Sequence, residues 1–481
     1  MPDIVCRCGA RFTDDAEGKR LYGEHQVWCG RQGAVDLKPA DLAQQIMDDN
    51  QIVTLSDTGE MLRYERGVYR GGAETVVAAA VEKLKPNATN HDCQEVLGHI
   101  RRQTYRDRCE FDSDLYVINL HNGLLDVRSG ELDSHDPAYL SRTQLPVDWR
   151  PEAHCPGFLK FLCEILPDSD DRRMVLEEMA SCLWRSGALQ KAYMWVGDGA
   201  NGKSTLAAVL TALLGERNVS HVTLQSLEVN RFASAELDGK LANIYSDISD
   251  SELYHTGRLK SLIAADPIMA ERKGKNPFDL RSLGKMIYSA NKLPQVQDNT
   301  DAFFRRWIIT EFKQKFEGEH ANPKLIDVLT APDELSGLLR ILVALVGRII
   351  ERGGLSRSPT TEQLRSEWGQ RADTVAAFIH GCLIANQAGY SGKKDVYAAF
   401  VEWCQRQNFL ACGNRTFNER LQAKMPIRED VVRIGGRSVK VWRGTQLNPL
   451  RAPNLSAKME PFLCSTQATT ATSESHVEDV K

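Results

Sequence analysis

The sequence predicts a multidomain α/β protein whose middle portion is a parallel sheet carrying a phosphate-binding loop. Three observations lead there. First, 481 residues exceed what one hydrophobic core sustains, so several domains are expected. Second, residues about 191 to 315 alternate strand-like and helical runs, the pattern of a parallel sheet with its ligand at the strands' carboxyl ends. Third, the apolar run Ala192-Tyr193-Met194-Trp195-Val196 leads into Gly197-Asp198-Gly199-Ala200-Asn201-Gly202-Lys203-Ser204-Thr205, which has the spacing G-x-x-x-x-G-K-S.

Composition narrows the class. Hydrophobic residues make up 42% and charged residues 26%, as in soluble globular proteins. A formal net charge of −4 supplies no global basic field, so any nucleic-acid contact must come from local patches. The stretch Met1-Pro2-Asp3-Ile4-Val5-Cys6 has neither the basic nor the apolar region of a secretory signal. Leu338 to Ile350 is the most apolar helical run, but it is short and interrupted by Arg340 and Arg348, which suits a core better than a membrane span. The 12 cysteines form no paired framework and fit reduced cytosolic thiols.

Taken in order, residues 1–32 hold Cys6-Arg7-Cys8 and, on a short helical run, His25 and Cys29. These four ligands suit a tetrahedral Zn²⁺, with Phe12 and Leu21 as a miniature core and His25 and Cys29 on one helical face. The Cys-x-Cys step departs from the usual two-residue spacer, and free surface cysteines are the alternative. A segment this small would draw its stability from the metal. Residues 45–185 read as a mixed α+β domain. It has strand-like pieces at Met61–Tyr64 and Gly67–Tyr69, a helical run from Thr75 to Leu84, and a hairpin from Tyr116 to Val127 about the Asn122-Gly123 turn. Asp112 and Asp114 form an acidic pair of the kind that binds two metals in nucleotide polymerisation, although such pairs are also common as solvated groups. Helical runs from Phe158 to Ile165 and Met174 to Leu183 lead into the core.

The core covers residues 186–320. Its glycines let backbone N–H groups turn towards a β-phosphate, and the helix starting near Lys203 adds the favourable end of its dipole. Lys203 is placed to reach the β- and γ-phosphates and the Ser204 hydroxyl to ligate Mg²⁺. The strand Leu241–Ser246 ends in Asp247, where a carboxylate can hold Mg²⁺ through water and orient the attacking water; a turn-capping aspartate is the plainer alternative. The strand Lys285–Ala290 ends at Asn291, an amide suited to the γ-phosphate or the attacking water. Arg305 and Arg306 precede the strand Trp307–Thr310. Adjacent arginines with diverging side chains suit a reach into a neighbouring subunit's γ-phosphate, or else a surface salt-bridge pair. Between these pieces Arg272, Lys273 and Lys275 flank Gly274, a basic hairpin tip that can follow a phosphate backbone or stand as a solvated turn.

Residues 321–368 read as a helical extension and linker. In residues 369–446 the helical runs Val396–Cys404 and Thr416–Leu421 precede a hairpin about Gly435-Gly436, a winged-helix order. Arg415, Arg420 and Arg437 there could touch phosphates, or the wing could dock protein. The Ser-, Thr- and Ala-rich residues 447–481 are expected to be disordered.

In this order the pieces resemble the ATPase module of superfamily 3 helicases, specifically phage and plasmid primase-helicases and the related poxvirus-type NTPases. Gly197 to Thr205 matches the phosphate loop and Asp247 the second acidic motif. Lys260 to Lys275 matches the motif unique to that superfamily, Ser289-Ala290-Asn291-Lys292-Leu293-Pro294 the polar sensor, and Arg305-Arg306 the arginine-finger region. The second acidic motif often carries two adjacent acids, whereas Ile248 follows Asp247 here, so the catalytic base stays open. The resemblance implies an AAA+-like core using ATP and Mg²⁺, a homo-hexameric ring, single-stranded or forked DNA in its pore, and 3′ to 5′ movement. It also implies a bacterial cytoplasm hosting a phage, prophage or plasmid, with no membrane association and a replication-initiation or primase partner. The expected function is an ATP-dependent DNA helicase. A bifunctional primase-helicase is one alternative, though the first hundred residues leave little room for a primase domain; the other is a replication-initiation switch that ATP assembles without unwinding.

Overall fold

The computed structural model describes residues 37–448, apart from 249–252, 254, 297, 299, 317–323, 408 and 410, and also residues 4–5, 11–12, 17 and 19–21. Cys6, Cys8, His25 and Cys29, the expected zinc ligands, lie outside the described residues, as does the tail beyond 448. The chain divides into two units. One is Met1–Pro294 with Arg305–Gln363, and the other is Gln295–Phe304 with Leu364–Lys481.

In the first unit, five parallel strands form one sheet. They are β1 (Ala192–Val196), β2 (Val219–Ser220), β3 (Ala242–Tyr245), β4 (Lys285–Ala290) and β5 (Trp307–Glu311), in the order β2-β3-β4-β1-β5. Strands covered on both faces need apolar residues throughout rather than alternation. Accordingly β4 is buried at all six positions and β1 at its first four. The strand order turns at β1, so the crevice beyond its carboxyl end is where a sheet of this type takes a ligand. The helix α1 (Lys203–Leu214) leaves that crevice and stops at Gly215, with φ +87.

One hydrophobic core runs from Ile118 through this sheet to Ile349 and includes Phe158, Met174 and Leu338. The helices Pro156–Ile165 and Ser169–Ser181 therefore belong to the core of the parallel sheet, and no break in packing falls near residue 185. Pro332–Arg352 packs there too, and no helix among the described residues is long and apolar enough to cross a membrane. Ahead of them, Val68–Gly71, Met61–Glu65, Ile52–Leu55 and Tyr105–Arg106 form a four-stranded sheet in that order. It shares a smaller core with the helices Pro39–Asp49, Ala73–Leu84 and Asn90–Thr104. The expected hairpin forms from Val117–Leu120 and Gly123–Asp126, but Leu120 pairs with Gly123, so the turn is His121-Asn122 rather than Asn122-Gly123, and Leu132–Asp133 is added as a third strand.

The second unit sets the helices Thr374–Cys382, Lys393–Arg406 and Asn414–Lys424 against a three-stranded antiparallel sheet. Its middle strand, Arg437–Leu447, lies between Leu383–Gly392 and Arg428–Ile434. Phe378, Phe400 and Phe417 fill the centre, the last two stacked with centroids 4.5 Å apart. Gly435 and Gly436 take φ +54 and +77 at the hairpin turn, which explains why two glycines stand there. The strand Leu383–Gly392 carries no clear alternation in its sequence, and its register shifts between Asn386 and Tyr390. The short helix Asp301–Phe304 also belongs to this unit, with Phe303 and Phe304 edge-on to Trp368 at 5.5 and 5.4 Å.

Candidate nucleotide-binding site

The loop after β1 is pinned at three points. Phe312 N–H donates to Val196 O (2.7 Å), Gly197 N–H to Ala290 O (3.2 Å) and Phe316 N–H to Ala200 O (2.7 Å). Gly197 is required by close approach, since a Cβ there would sit 2.3 Å from the Phe312 carbonyl oxygen. Gly202 is required twice over, by φ +86 and by Ile165 Cγ2 at 2.5 Å from a built Cβ. Gly199 instead faces open space. Ala200, a non-glycine at φ +53, carries local strain of about 1–2 kcal/mol.

Lys203 is buried, and its Nζ donates to Gly197 O (2.5 Å) and Asn201 Oδ1 (3.0 Å). Burial holds its pKa below the ordinary lysine range, partly offset by the charges of Asp247 and Asp198. The ammonium is thus folded into the loop, with two carboxylates in electrostatic reach. Asn201, also buried, directs Nδ2 to Phe312 O (3.4 Å). Ser204 is exposed and Thr205 half-buried at the start of α1. Gly202 brings no capping side chain to that helix; the Lys203 N–H points at Asn201 Oδ1 at 3.5 Å, and the positive end of the helix dipole faces the loop. These residues fit a nucleotide triphosphate and its Mg²⁺: a cradle too tight for side chains, an ammonium beside it and a hydroxyl at its rim.

Asp247 is exposed beyond β3 with φ +63, a conformation aspartate adopts at a cost, and Ile248 N–H to Ser289 O (2.9 Å) ties it beside β4. Asn291 is exposed just after β4. The structure therefore gathers Lys203, Ser204, Asp247 and Asn291 at the carboxyl edge of the sheet. Arg305 and Arg306 lie at the other edge. Ala192 N–H, at the start of β1, donates to Arg306 O (2.8 Å), and the Lys191 ammonium to Arg305 O. With about 3.3 Å per residue, the length of β1 puts them roughly 16 Å from their own chain's loop.

The basic hairpin is formed by Ile268–Ala270 and Phe278–Leu280, with Lys273 and Lys275 exposed about Gly274 (φ +73). Arg272 is separated from them. Its Nη2 donates to Asp238 Oδ2 (3.1 Å), its Nη1 lies 3.5 Å from Glu60 Oε2, and its guanidinium packs 5.1 Å from the Phe278 ring centroid. Asp238 also accepts from Arg108 (2.6 Å) and Arg142 (3.1 Å). Burial opposes its ionisation, but Arg142, Arg108 and Arg272 outweigh burial and hold its carboxyl below the usual range.

The sequence offered no role for Glu178, which lies behind the loop. Trp195 Nε1–H of β1 donates to its Oε2 (2.7 Å) and the Thr310 hydroxyl of β5 to its Oε1 (3.2 Å). Burial pushes its pKa up to about 8. Its signal in the sequence was a glutamate inside an apolar helical run. Asp112 is likewise enclosed: it accepts from Ser141 Oγ (2.6 Å), Arg142 N–H (3.1 Å) and Thr143 Oγ1 (3.2 Å), with Arg185 at 3.6 Å. Asp114 accepts from Tyr116 N–H (2.8 Å). Protein donors thus occupy the carboxylate that a polymerase metal would need.

Residues 20–167 match a family described as D5 N terminal like, and residues 195–306 a family of unknown function, DUF5906. A candidate helicase of Acanthamoeba polyphaga mimivirus, L207/L206, is 24% identical over 347 residues, covering 66% of this chain and 36% of that protein. A candidate primase of African swine fever virus, C962R, is 20% identical over 321 residues, covering 61% of this chain and 33% of that protein. The chain fits the phage and viral primase-helicase family. It spans about a third of the length of the curated relatives it matches. The apo C-terminal region of NrS-1 aligns with a TM-score of 0.49 at 13% identity, covering 85% of this chain and 100% of that one. The loop from Gly197, Asp247, Asn291 and the arginine pair all fall within the second matched segment.

Proposed function

We propose that this chain is an ATP-dependent DNA helicase of the superfamily 3 type, acting as a ring in phage, prophage or plasmid replication. Relatives named as helicases and primases support a role in replication. One observation carries the ring: the phosphate loop, Asp247 and Asn291 lie at one edge of the sheet, while Arg305 and Arg306 lie at the opposite edge. A single copy then holds half of the chemistry at each end, and head-to-tail copies complete one another.

In this reading Lys203 and the loop N–H groups from Gly197 to Lys203 bind the phosphates, and Asp247 and Asn291 position the attacking water. Mg²⁺, held by Ser204 and Asp247, would neutralise charge on the phosphates. Arg305 or Arg306 of a neighbouring copy stabilises charge in the transition state. Lys273 and Lys275 contact single-stranded DNA in the pore of a hexamer, with Arg272 bracing the hairpin. The Cys6–Cys29 segment as a zinc finger and the C-terminal unit as a winged helix recruit the ring to forked DNA or to an initiation or primase partner.

Subunit mixing tests it. Lys203→Ala protein and an Arg305→Ala/Arg306→Ala double variant should each lack DNA-stimulated ATP hydrolysis. Mixed equally, they should recover about a quarter of the parental rate, because random rings join an intact loop to intact arginines at about one interface in four. No recovery in assembled mixtures, or brisk hydrolysis by a strict monomer, defeats the proposal.

A further inference from the structure

A cleft of about 1000 Å³ lies between the hairpin Met61–Glu65/Val68–Gly71 and the chain that leaves α1. Three of its four carboxylates are engaged by arginine: Glu65 pairs with Arg63, Asp238 with Arg142 and Arg272, and Glu60 with Arg272, while Glu216 is exposed at the rim. Arg66, Arg70, Arg217 and Lys240 remain as surplus positive charge around it. Burial first, and the Arg217 guanidinium second, pull the Arg70 pKa below its ordinary value, with Glu65 opposing. The two guanidinium groups repel across one half-buried space, and the carboxylates there are fewer than the cations, so a bound anion would make the arrangement favourable.

We propose that this cleft is a second nucleic-acid site, in which Arg70 and Arg217 grip the phosphate backbone of a single DNA strand. Guanidinium groups match phosphate oxygens in bidentate fashion. The volume is at the top of the small-molecule range of about 300–1000 Å³, and the cleft is walled by two separate stretches of chain, which suits a passing polymer. Of the two aromatic rings in its lining, Tyr69 is buried edge-on against Phe111 at 6.0 Å and the His121 ring is held by Asp148 at 2.8 Å, so the arginines make the contacts and these fall on the backbone. The walls are fixed by Asn119 Nδ2 to Gly67 O, Gln144 Nε2 to Arg66 O and Asn218 Nδ2 to Gln144 O, each 2.8 Å. At one side Asp238 lines the cleft and holds Arg272 at the root of the basic hairpin, so a strand lying here is led towards Lys273 and Lys275. The choice of DNA rests on the replication reading above; the charge arrangement does not.

The test is fluorescence anisotropy of a labelled oligodeoxythymidylate on the full chain carrying Lys203→Ala, so that binding is read without hydrolysis and stands apart from any failure of the motor. Arg70→Ala/Arg217→Ala should weaken binding about tenfold, and two lost contacts at about 0.7 each should lower the slope of log K against log salt by about 1.4. Arg217→Glu, at an exposed position, should weaken binding with the parental Tm and so guards against misfolding. Parental affinity and salt slope in both variants overturn the proposal. Unchanged oligonucleotide affinity, together with loss of thermal stabilisation by tripolyphosphate in the double variant, overturns it in favour of a small polyanion.

Discussion

Glutamine in place of Glu178 should flatten the fall of stability with rising pH. The carboxyl is fully buried between Trp195 and Thr310, and burial raises its pKa from 4.5 to about 8. Below about pH 4.5 the group is protonated in the folded and unfolded chains alike, and it contributes no pH dependence. Between 4.5 and about 8 the folded chain keeps a proton that the unfolded chain releases, so each pH unit lowers stability by about 1.4 kcal/mol. From pH 5.5 to 7.5 that is two units, or about 2.7 kcal/mol. The glutamine keeps both contacts, its carbonyl accepting the indole N–H and its amide donating to the Thr310 hydroxyl, but it has no proton to lose. Lys285, buried and lowered to about 8, begins to lose its proton in the folded chain near pH 7.5, but it does so in parent and variant alike and cancels in the comparison. Urea unfolding at the two pH values should show the parent losing about 2.7 kcal/mol more than Glu178→Gln. Parallel pH profiles would refute the argument, because no proton would then be held at this site.

Other substitutions probe the remaining links. Lys203→Ala should abolish ATP hydrolysis and the thermal stabilisation conferred by a non-hydrolysable ATP analogue, since it removes the cation that now rests on Gly197 O and Asn201 Oδ1. Asp238→Asn leaves Arg108, Arg142 and Arg272 without their shared carboxylate and should cost about 3–5 kcal/mol in denaturant unfolding. Phe417→Ala empties the stacked centre of the second unit and should cost about 3–5 kcal/mol there, with nucleotide binding retained.

Much of the core was readable because its signals are local. The end of α1 at Gly215, the strand Lys285–Ala290 and the hairpin from Val117 to Asp126 follow from short runs of apolar periodicity punctuated by glycine. Domain limits were harder to read: the helix Ser169–Ser181 looks like the end of one segment but packs into the core of the next. The strand Leu383–Gly392 shows no clear alternation, and the partner of Glu178 cannot be read from a helix alone.

The sequence by itself determined where the glycine-rich loop lies, because its glycines, Lys203 and Ser204 follow a buried strand and open a helix within nine consecutive residues; Phe312, Ala290 and Ile165, remote in sequence, then fix its shape. Tertiary structure alone decided the fate of the charges. Arg272 reads like Lys273, yet it leaves the hairpin tip for Asp238, thirty-four positions earlier in the chain. Arg305 and Arg306 read as a pair reaching a neighbour's nucleotide or as a surface salt-bridge pair, and it is the parallel pairing of β5 with β1 that sets them at the end of the sheet away from their own loop. Long side chains take the partner that folding brings near, and the order of the strands, which no local pattern records, fixes which strand each residue lies beside.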